Sequence, residues 1–224
     1  MRMVTRRCLA GILFAAGIII CLNTGIVSAA YPLATDDAGT VKVSGYELEA
    51  GYDNCKDGND LINKTCGVSF KHGVTDKMDI GLSLPYKVDP AANENMGAAT
   101  FSFKFALVKD MLALSFANEL GEKDYFVNAI YTKEFSFVRC NLNAGYLSTG
   151  DETVKGRGSY GISAEYLIKS FEIVGEIQGQ EEGTGNGLAG LRYRIIDTFF
   201  VAAGVSKAFS TDENKLTAGF HFEF

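Results

Sequence analysis

Residues 78–86 read MDIGLSLPY, and the order of side chains in that stretch decides the fold. Met78, Ile80, Leu82, Leu84 and Tyr86 alternate with Asp79, Gly81, Ser83 and Pro85. Successive side chains on a β-strand point to opposite faces, so this is a strand with one apolar face and one small or polar face. TFSFKFAL, 100–107, repeats the pattern with Phe101, Phe103, Phe105 and Leu107 against Thr100, Ser102, Lys104 and Ala106.

The same alternation runs along the chain. Tyr46, Leu48, Ala50 and Tyr52 oppose Gly45, Glu47, Glu49 and Gly51, and the chain ends with Leu216, Ala218, Phe220, Phe222 and Phe224 against Thr217, Gly219, His221 and Glu223. Segments at 138–146 and 160–166 are equally regular. Less regular ones lie at about 64–73, 111–120, 124–133, 171–180, 187–195 and 199–208, for a total of about twelve. Two kinds of connection alternate between them. Short turns fall at Thr75-Asp76-Lys77, Val108-Lys109-Asp110, Glu134-Phe135, Lys169-Ser170 and Ile196-Asp197-Thr198. Longer polar loops fall at 53–60, 88–95, 147–158 and 180–187, with shorter polar ones at 120–124 and 209–214.

Alternation alone also fits a soluble sandwich or a lipocalin-like barrel, in which the apolar faces meet in a core. Three features turn the apolar faces outward instead. The segments approach the ~9–11 residues that cross a bilayer. Aromatic side chains mark segment ends, among them Tyr46, Tyr52, Tyr86, Tyr146, Tyr166 and Phe171. Short turns at one end and longer loops at the other are the layout of outer-membrane barrels. The expected fold is therefore all-β: a transmembrane antiparallel up-and-down β-barrel of about twelve strands over residues 45–224. An even strand count brings both ends of the barrel to the short-turn, periplasmic side. The terminal FHFEF resembles the signal read by the outer-membrane assembly machinery, with Phe224 as its last residue.

The N-terminus is a leader. Arg2, Arg6 and Arg7 precede an uncharged run from Cys8 to Leu22 and then Val27, Ser28, Ala29 and Ala30, the basic, apolar and small-residue order of a secretory signal peptide. The run is shorter than the ~20 residues of a spanning helix. Residues 1–29 are assigned to the signal peptide, with cleavage after Ala29 or Ala30. The leader takes three of the 21 basic residues and none of the 27 acidic ones, so the mature chain is more acidic than the whole and a nucleic-acid partner is excluded. Glycine, at 25 of 224, exceeds its usual ~7 %, while proline is only 3 and tryptophan is absent, as suits many strands and tight turns.

Between leader and barrel lies YPLATDDAGT, 31–40. With the first strand SGYELEAGYD behind it, it resembles the start of mature proteins in the MetA-pathway of phenol degradation family of Gram-negative outer-membrane barrels. HGVTDKMDIGLSLPY, 72–86, resembles that family's second hairpin, where a Thr-Asp turn joins two strands and the second ends in Leu-Pro-Tyr. Tyr31 departs from the pattern, standing where members often carry a basic residue. The resemblance implies a transporter or channel, and the expected function is passive uptake of small solutes, hydrophobic or aromatic ones among them.

Residues 30–44 are periplasmic or inserted in the lumen, with Pro32, Leu33, Thr35, Asp36 and Asp37 as the motif. In one reading the acids turn into the barrel and pair with Lys104, Arg139, Arg192 or Arg194. The plainer reading, preferred here, makes Thr35-Asp36-Asp37 a solvated turn whose side chains bond nearby backbone N–H groups. Parity points Glu47, Glu49, Lys71, Asp79, Lys104, Arg139, Glu165, Glu176, Arg192 and Arg194 into the lumen, because a Lys or Arg on the lipid face costs ~2–4 kcal/mol near the midplane. Five are acidic and five basic, which predicts weak ion selectivity.

Other chemistry is sparse. The two histidines, His72 and His221, lie toward the short-turn side, and no G-x-S-x-G or similar nucleophile motif accompanies them, so no enzyme is expected. DNCKDGND, 53–60, has the acids of a calcium loop but Cys55 at its third position and Lys64 at its twelfth, so neither metal nor cofactor is assigned. Cys55 and Cys66 flank the first long loop on adjacent strands, in an exported and hence oxidising setting, and are candidates for a disulfide. Cys140 shares parity with Val138 and Leu142 and belongs on the lipid side. The expected partners are outer-membrane lipid and lipopolysaccharide, the assembly machinery and a small solute, for a monomer. The alternative is a non-conducting structural or surface-interaction barrel.

Overall fold

The computed structural model describes residues 31–59, 61–90, 95–151, 153–181, 183 and 185–224. The expected leader with its cleavage site, and Asp60 of the acidic loop, lie outside them. The barrel is built from β1 (Tyr46–Lys56), β2 (Ile62–Thr75), β3 (Met78–Asp89), β4 (Thr100–Val108), β5 (Leu112–Glu119), β6 (Tyr125–Phe135), β7 (Val138–Ser148), β8 (Arg157–Ile168), β9 (Phe171–Gln180), β10 (Asn186–Ile196), β11 (Phe199–Ala208) and β12 (Asn214–Glu223). Each strand pairs antiparallel with the next, and β12 pairs with β1, so the sheet closes on itself. Closure leaves no strand edge unpaired, which is what a hydrocarbon solvent demands of a β-structure.

The register fixes which face looks where. One row across β1 to β4 reads Glu47, Lys71, Gly81, Ser102; the row beside it reads Leu48, Phe70, Leu82, Phe101. Lys71 is 6 % exposed, whereas Phe70, Leu82, Phe101 and Phe103 are 42, 43, 37 and 38 % exposed. The polar row is inside and the apolar row outside, the reverse of a sandwich core. Tyr46, Tyr52, Tyr86, Tyr146, Tyr166 and Phe171 all stand exposed on the outer wall, as an aromatic girdle requires. Cys140 stands opposite Ala164 on the outward face.

Two-residue connections cluster at one end. Asp110, Ser136 and Lys169 take positive φ there, between 53° and 57°, which lets the chain reverse within two or three residues. The β6–β7 turn is Ser136–Phe137, with Glu134 and Phe135 kept in β6. That moves the turn expected at Glu134-Phe135 by two residues, because Glu134 stays paired with Arg139 and Phe135 with Val138. The barrel's ends meet at the same rim. Tyr46 N–H donates to Phe224 O at 2.8 Å, Phe224 N–H donates back to Tyr46 O at 3.0 Å, and their rings stack at 5.5 Å.

The disulfide expected between Cys55 and Cys66 does not form. Cys55 stands opposite Asn63 and Cys66 opposite Tyr52, three rungs apart along the ladder or about 10 Å, beyond the ~7 Å reach of a disulfide. Parity separates them as well: Cys55 is buried on the inner face and donates its thiol to Glu213 Oε1 at 3.0 Å, while Cys66 shares the outer face with Tyr52. Cys55, Cys66 and Cys140 are all free thiols.

Candidate functional site: a lumen and its N-terminal strap

Residues 31–41 lie inside the barrel as a strap that runs round its inner wall, and 42–44 lead out, exposed, to β1. This overturns the solvated-turn reading of Thr35-Asp36-Asp37: Thr35 and Asp36 are 3 and 4 % exposed. The turn chemistry itself is present. Asp37 Oδ1 accepts from Gly39 N–H at 2.7 Å and Asp36 Oδ1 from Asp37 N–H at 3.0 Å, but the turn is packed against the wall instead of water.

Glycine makes the room. Inward-facing Gly51 pairs with Gly219, and Gly190 with Gly204. A Cβ at Gly51 would collide with the Tyr31 ring, and one at Gly219 would lie 2.9 Å from it. At Gly190 it would lie 2.7 Å from the Pro32 ring, and at Gly161 2.6 Å from Thr35 Oγ1. Leu33 packs beyond them on Val174 and Leu188, and Ala38 on Ala113 and Ile130. Glycine within a strand marks a close approach, and here the object approaching is the strap.

Polar side chains of the wall hold the strap's backbone. Arg192 Nε donates to Tyr31 O at 2.7 Å. Glu176 Oε2 accepts from Ala34 N–H at 2.8 Å and from Thr35 N–H. Asn143 grips Asp36 from both sides, accepting from its N–H at 3.0 Å and donating to its carbonyl at 2.7 Å. Thr132 Oγ1 accepts from Ala38 N–H at 2.8 Å, and Asp79 Oδ2 from Val41 N–H at 3.0 Å. Lys104 spends its three protons on Asp36 Oδ1, Asp37 O and Gly39 O, at 3.0, 3.1 and 3.0 Å. A segment without regular secondary structure thereby has many of its peptide groups satisfied by side chains of the barrel.

All ten residues assigned to the lumen by parity face inward. Lys71 pairs with Glu47 at 2.5 Å. Arg192 pairs with Glu165 and, at 2.9 Å, with Glu172, and its guanidinium lies 5.6 Å from the Phe200 ring. Arg139 lies 3.1 Å from Glu134 and 3.8 Å from Asp37, and Arg194 lies 3.9 Å from Glu172; both guanidiniums are about two-fifths exposed at the short-turn mouth. Of the partners proposed for the acids, Lys104 takes Asp36 and Arg139 reaches Asp37, whereas Arg192 holds the main chain at Tyr31.

Other members of the network were not assigned from sequence. His221 is 5 % exposed; its Nδ1 lies 2.9 Å from Glu49, its Nε2 3.3 Å from Glu223, and its ring stacks on Phe200 at 4.6 Å. Asp53 faces inward and meets Lys215 at 3.4 Å. Parity carries the signal for Asp53, Glu172 and Glu223, since each stands an even number of residues from an inward neighbour. His72 instead sits at the outer rim, stacked on Tyr46 at 4.6 Å with Nδ1 3.1 Å from Gly45 O.

Glu47, Glu49 and His221 bring three ligand atoms within 4.8 Å of one another, the spacing of a metal centre among the described residues. Lys71 sits against Glu47 and supplies the positive charge there. In the first long loop Asp57 Oδ1 caps its own turn, accepting from Asn59 and Leu61 N–H at 2.9 Å each.

The strap leaves two spaces. At the short-turn end is a vestibule of about 450 Å³, walled by the strap from Asp36 to Lys42 together with Arg139, Arg194 and His221. At the long-loop end is a smaller cavity of about 110 Å³, lined by Tyr31, Asp53, Thr65, Glu176, Lys215 and Thr217 among others.

No protein-family model and no curated protein matches the sequence. Solved structures match the fold. An outer membrane channel from Pseudomonas putida F1 superposes with a TM-score of 0.59 at 13 % identity, covering 84 % of this chain and 98 % of that one. The KdgM porin gives 0.58 at 8 % identity, covering 79 and 99 %. The NanC porin gives 0.58 at 10 % identity, covering 78 and 98 %. The fold is thus that of outer-membrane channels and porins.

Proposed function

We propose that this chain is an outer-membrane channel for passive entry of small solutes, its bore narrowed by its own N-terminal strap. The observation that carries the reading is the strap itself: a segment held by neutral and charged side chains in a polar lumen, with space on both sides of it. Twelve strands fall between eight-stranded barrels filled by side chains and sixteen-stranded porins with water channels. The matched folds, the outward apolar band and the resemblance of YPLATDDAGT and HGVTDKMDIGLSLPY to the MetA-pathway family support the same reading. That family resemblance favours hydrophobic or aromatic solutes. The reading includes export by the secretory pathway, insertion as a monomer by the assembly machinery, contact with lipopolysaccharide, and no catalytic step.

Conductance of the refolded protein in planar bilayers tests it. Open steps in the wild type are expected, growing in Asn143→Leu, which loses both bonds to Asp36 without a change of charge. A second reading, a non-conducting structural or surface-interaction barrel, is favoured by the number of wall side chains that bond the strap. Silence of both proteins would decide for it.

A further inference from the structure

The ten residues that parity assigns to the lumen are balanced in sign, but the spaces a solute would cross are not. The vestibule wall carries nine carboxylates against six lysines and arginines. The strap contributes Asp36 and Asp37, and the turns add Asp110 and Asp197. The loop-side cavity carries Glu49, Asp53 and Glu176 against Lys215 alone. Both spaces are therefore acidic, and weak selectivity is not what these walls dictate.

Most of these charges are committed to one another, Lys104 to Asp36, Lys71 to Glu47 and Arg139 to Asp37 and Glu134. Lys104 is spent on the strap, and Arg192 is engaged by Glu165, Glu172 and the Tyr31 carbonyl. On the acidic side, Asp53 Oδ1 and Glu176 Oε1 have no hydrogen-bond partner among the described residues. Both residues are more than nine-tenths buried and both line the loop-side cavity. A bonded pair separates the two spaces: Glu49 lines the loop-side cavity, and the His221 it bonds at 2.9 Å lines the vestibule. Low-dielectric walls with an excess of one sign concentrate the opposite charge in a cleft, and carboxylates in a narrow bore act on a cation over short distances.

Resting on the channel reading, we infer that the bore selects small cations, and that Asp53 and Glu176 form the selecting subsite on the loop side.

The test is the zero-current potential of the full mature protein in neutral phospholipid bilayers under a KCl gradient, read for the wild type and for Asn143→Leu, which has the same charge. Potassium is expected to permeate several-fold better than chloride, and choline to enter liposomes several-fold faster than gluconate. The double variant Asp53→Asn with Glu176→Gln, in which glutamine can still accept from Ala34 and Thr35, should lose at least half of the cation preference in the channels that open. Preference for chloride, or none, in a conducting protein overturns this inference and leaves the channel reading standing. An unchanged preference in the double variant overturns the subsite. A barrel that folds yet stays closed in both wild type and Asn143→Leu overturns the channel reading and this inference together.

Discussion

Lys104 Nζ lies 3.0 Å from Asp36 Oδ1, joining the middle of β4 to a strap that enters the barrel ahead of β1. Both side chains are at least nine-tenths buried, and the same ammonium bonds the carbonyls of Asp37 and Gly39. Removing one partner of a buried pair leaves an uncompensated charge, at a cost of about 3–5 kcal/mol. Lys104→Met is therefore expected to unseat the strap while leaving the barrel ladder intact. Larger conductance steps and new proteinase cleavage within residues 31–44, read by mass spectrometry, check it.

Gly51 and Tyr31 make a sharper test, because the effect is steric. Gly51→Ala places a methyl group inside the Tyr31 ring, so the strap's first residues must leave the wall. The Tyr31→Ala exchange in the same chain removes the ring and should restore protection. A double-mutant cycle on proteolysis rates measures the coupling, expected at about 0.5–3 kcal/mol for residues in contact.

The outer wall is tested by charge at Leu82, which is 43 % exposed between Phe70 and Phe101. Leu82→Lys should destabilise the lipid-embedded barrel by about 2–4 kcal/mol near the midplane. Ser83→Lys, one residue on and facing the lumen, should cost less. Urea unfolding in phospholipid vesicles compares them.

The free thiols give a covalent check. Unfolded mature protein should titrate three thiols without reductant, and its gel mobility should not change on reduction. A single thiol would mean that Cys55 and Cys66 are bonded and that the β1–β2 register is wrong.

Strand number, strand direction and the inward set were legible in the sequence because two solvents enforce them: hydrocarbon selects every second residue and the lumen selects the rest. Legibility fails where the lumen is not watery. Ile130, Val174 and Leu188 face inward yet are apolar, because Ala38 and Leu33 of the strap pack on them. That is why β6, β9 and β10 looked less regular than β3 or β4. The strap's location was not legible, since the turn of Asp37 on Gly39 forms equally well in water and its real partners, Lys104, Asn143 and Glu176, lie about 65 to 140 residues away. The register had to be known before Gly51 with Gly219, and Gly190 with Gly204, could be read as a cradle. Cys55 and Cys66 failed for the same reason: nearness along the chain says nothing about which rung each occupies.

The seam where β1 meets β12 joins Glu47 to Glu223 and Lys56 to Asn214, so the first and last strands of the barrel are mutual neighbours. Contacts so distant along the chain form slowly and late. A polypeptide that lacks β12 cannot complete this cylinder, so closure itself reports that the last strand is present. The strap, being joined to the opening strand, must already be on the correct side when that strand locks.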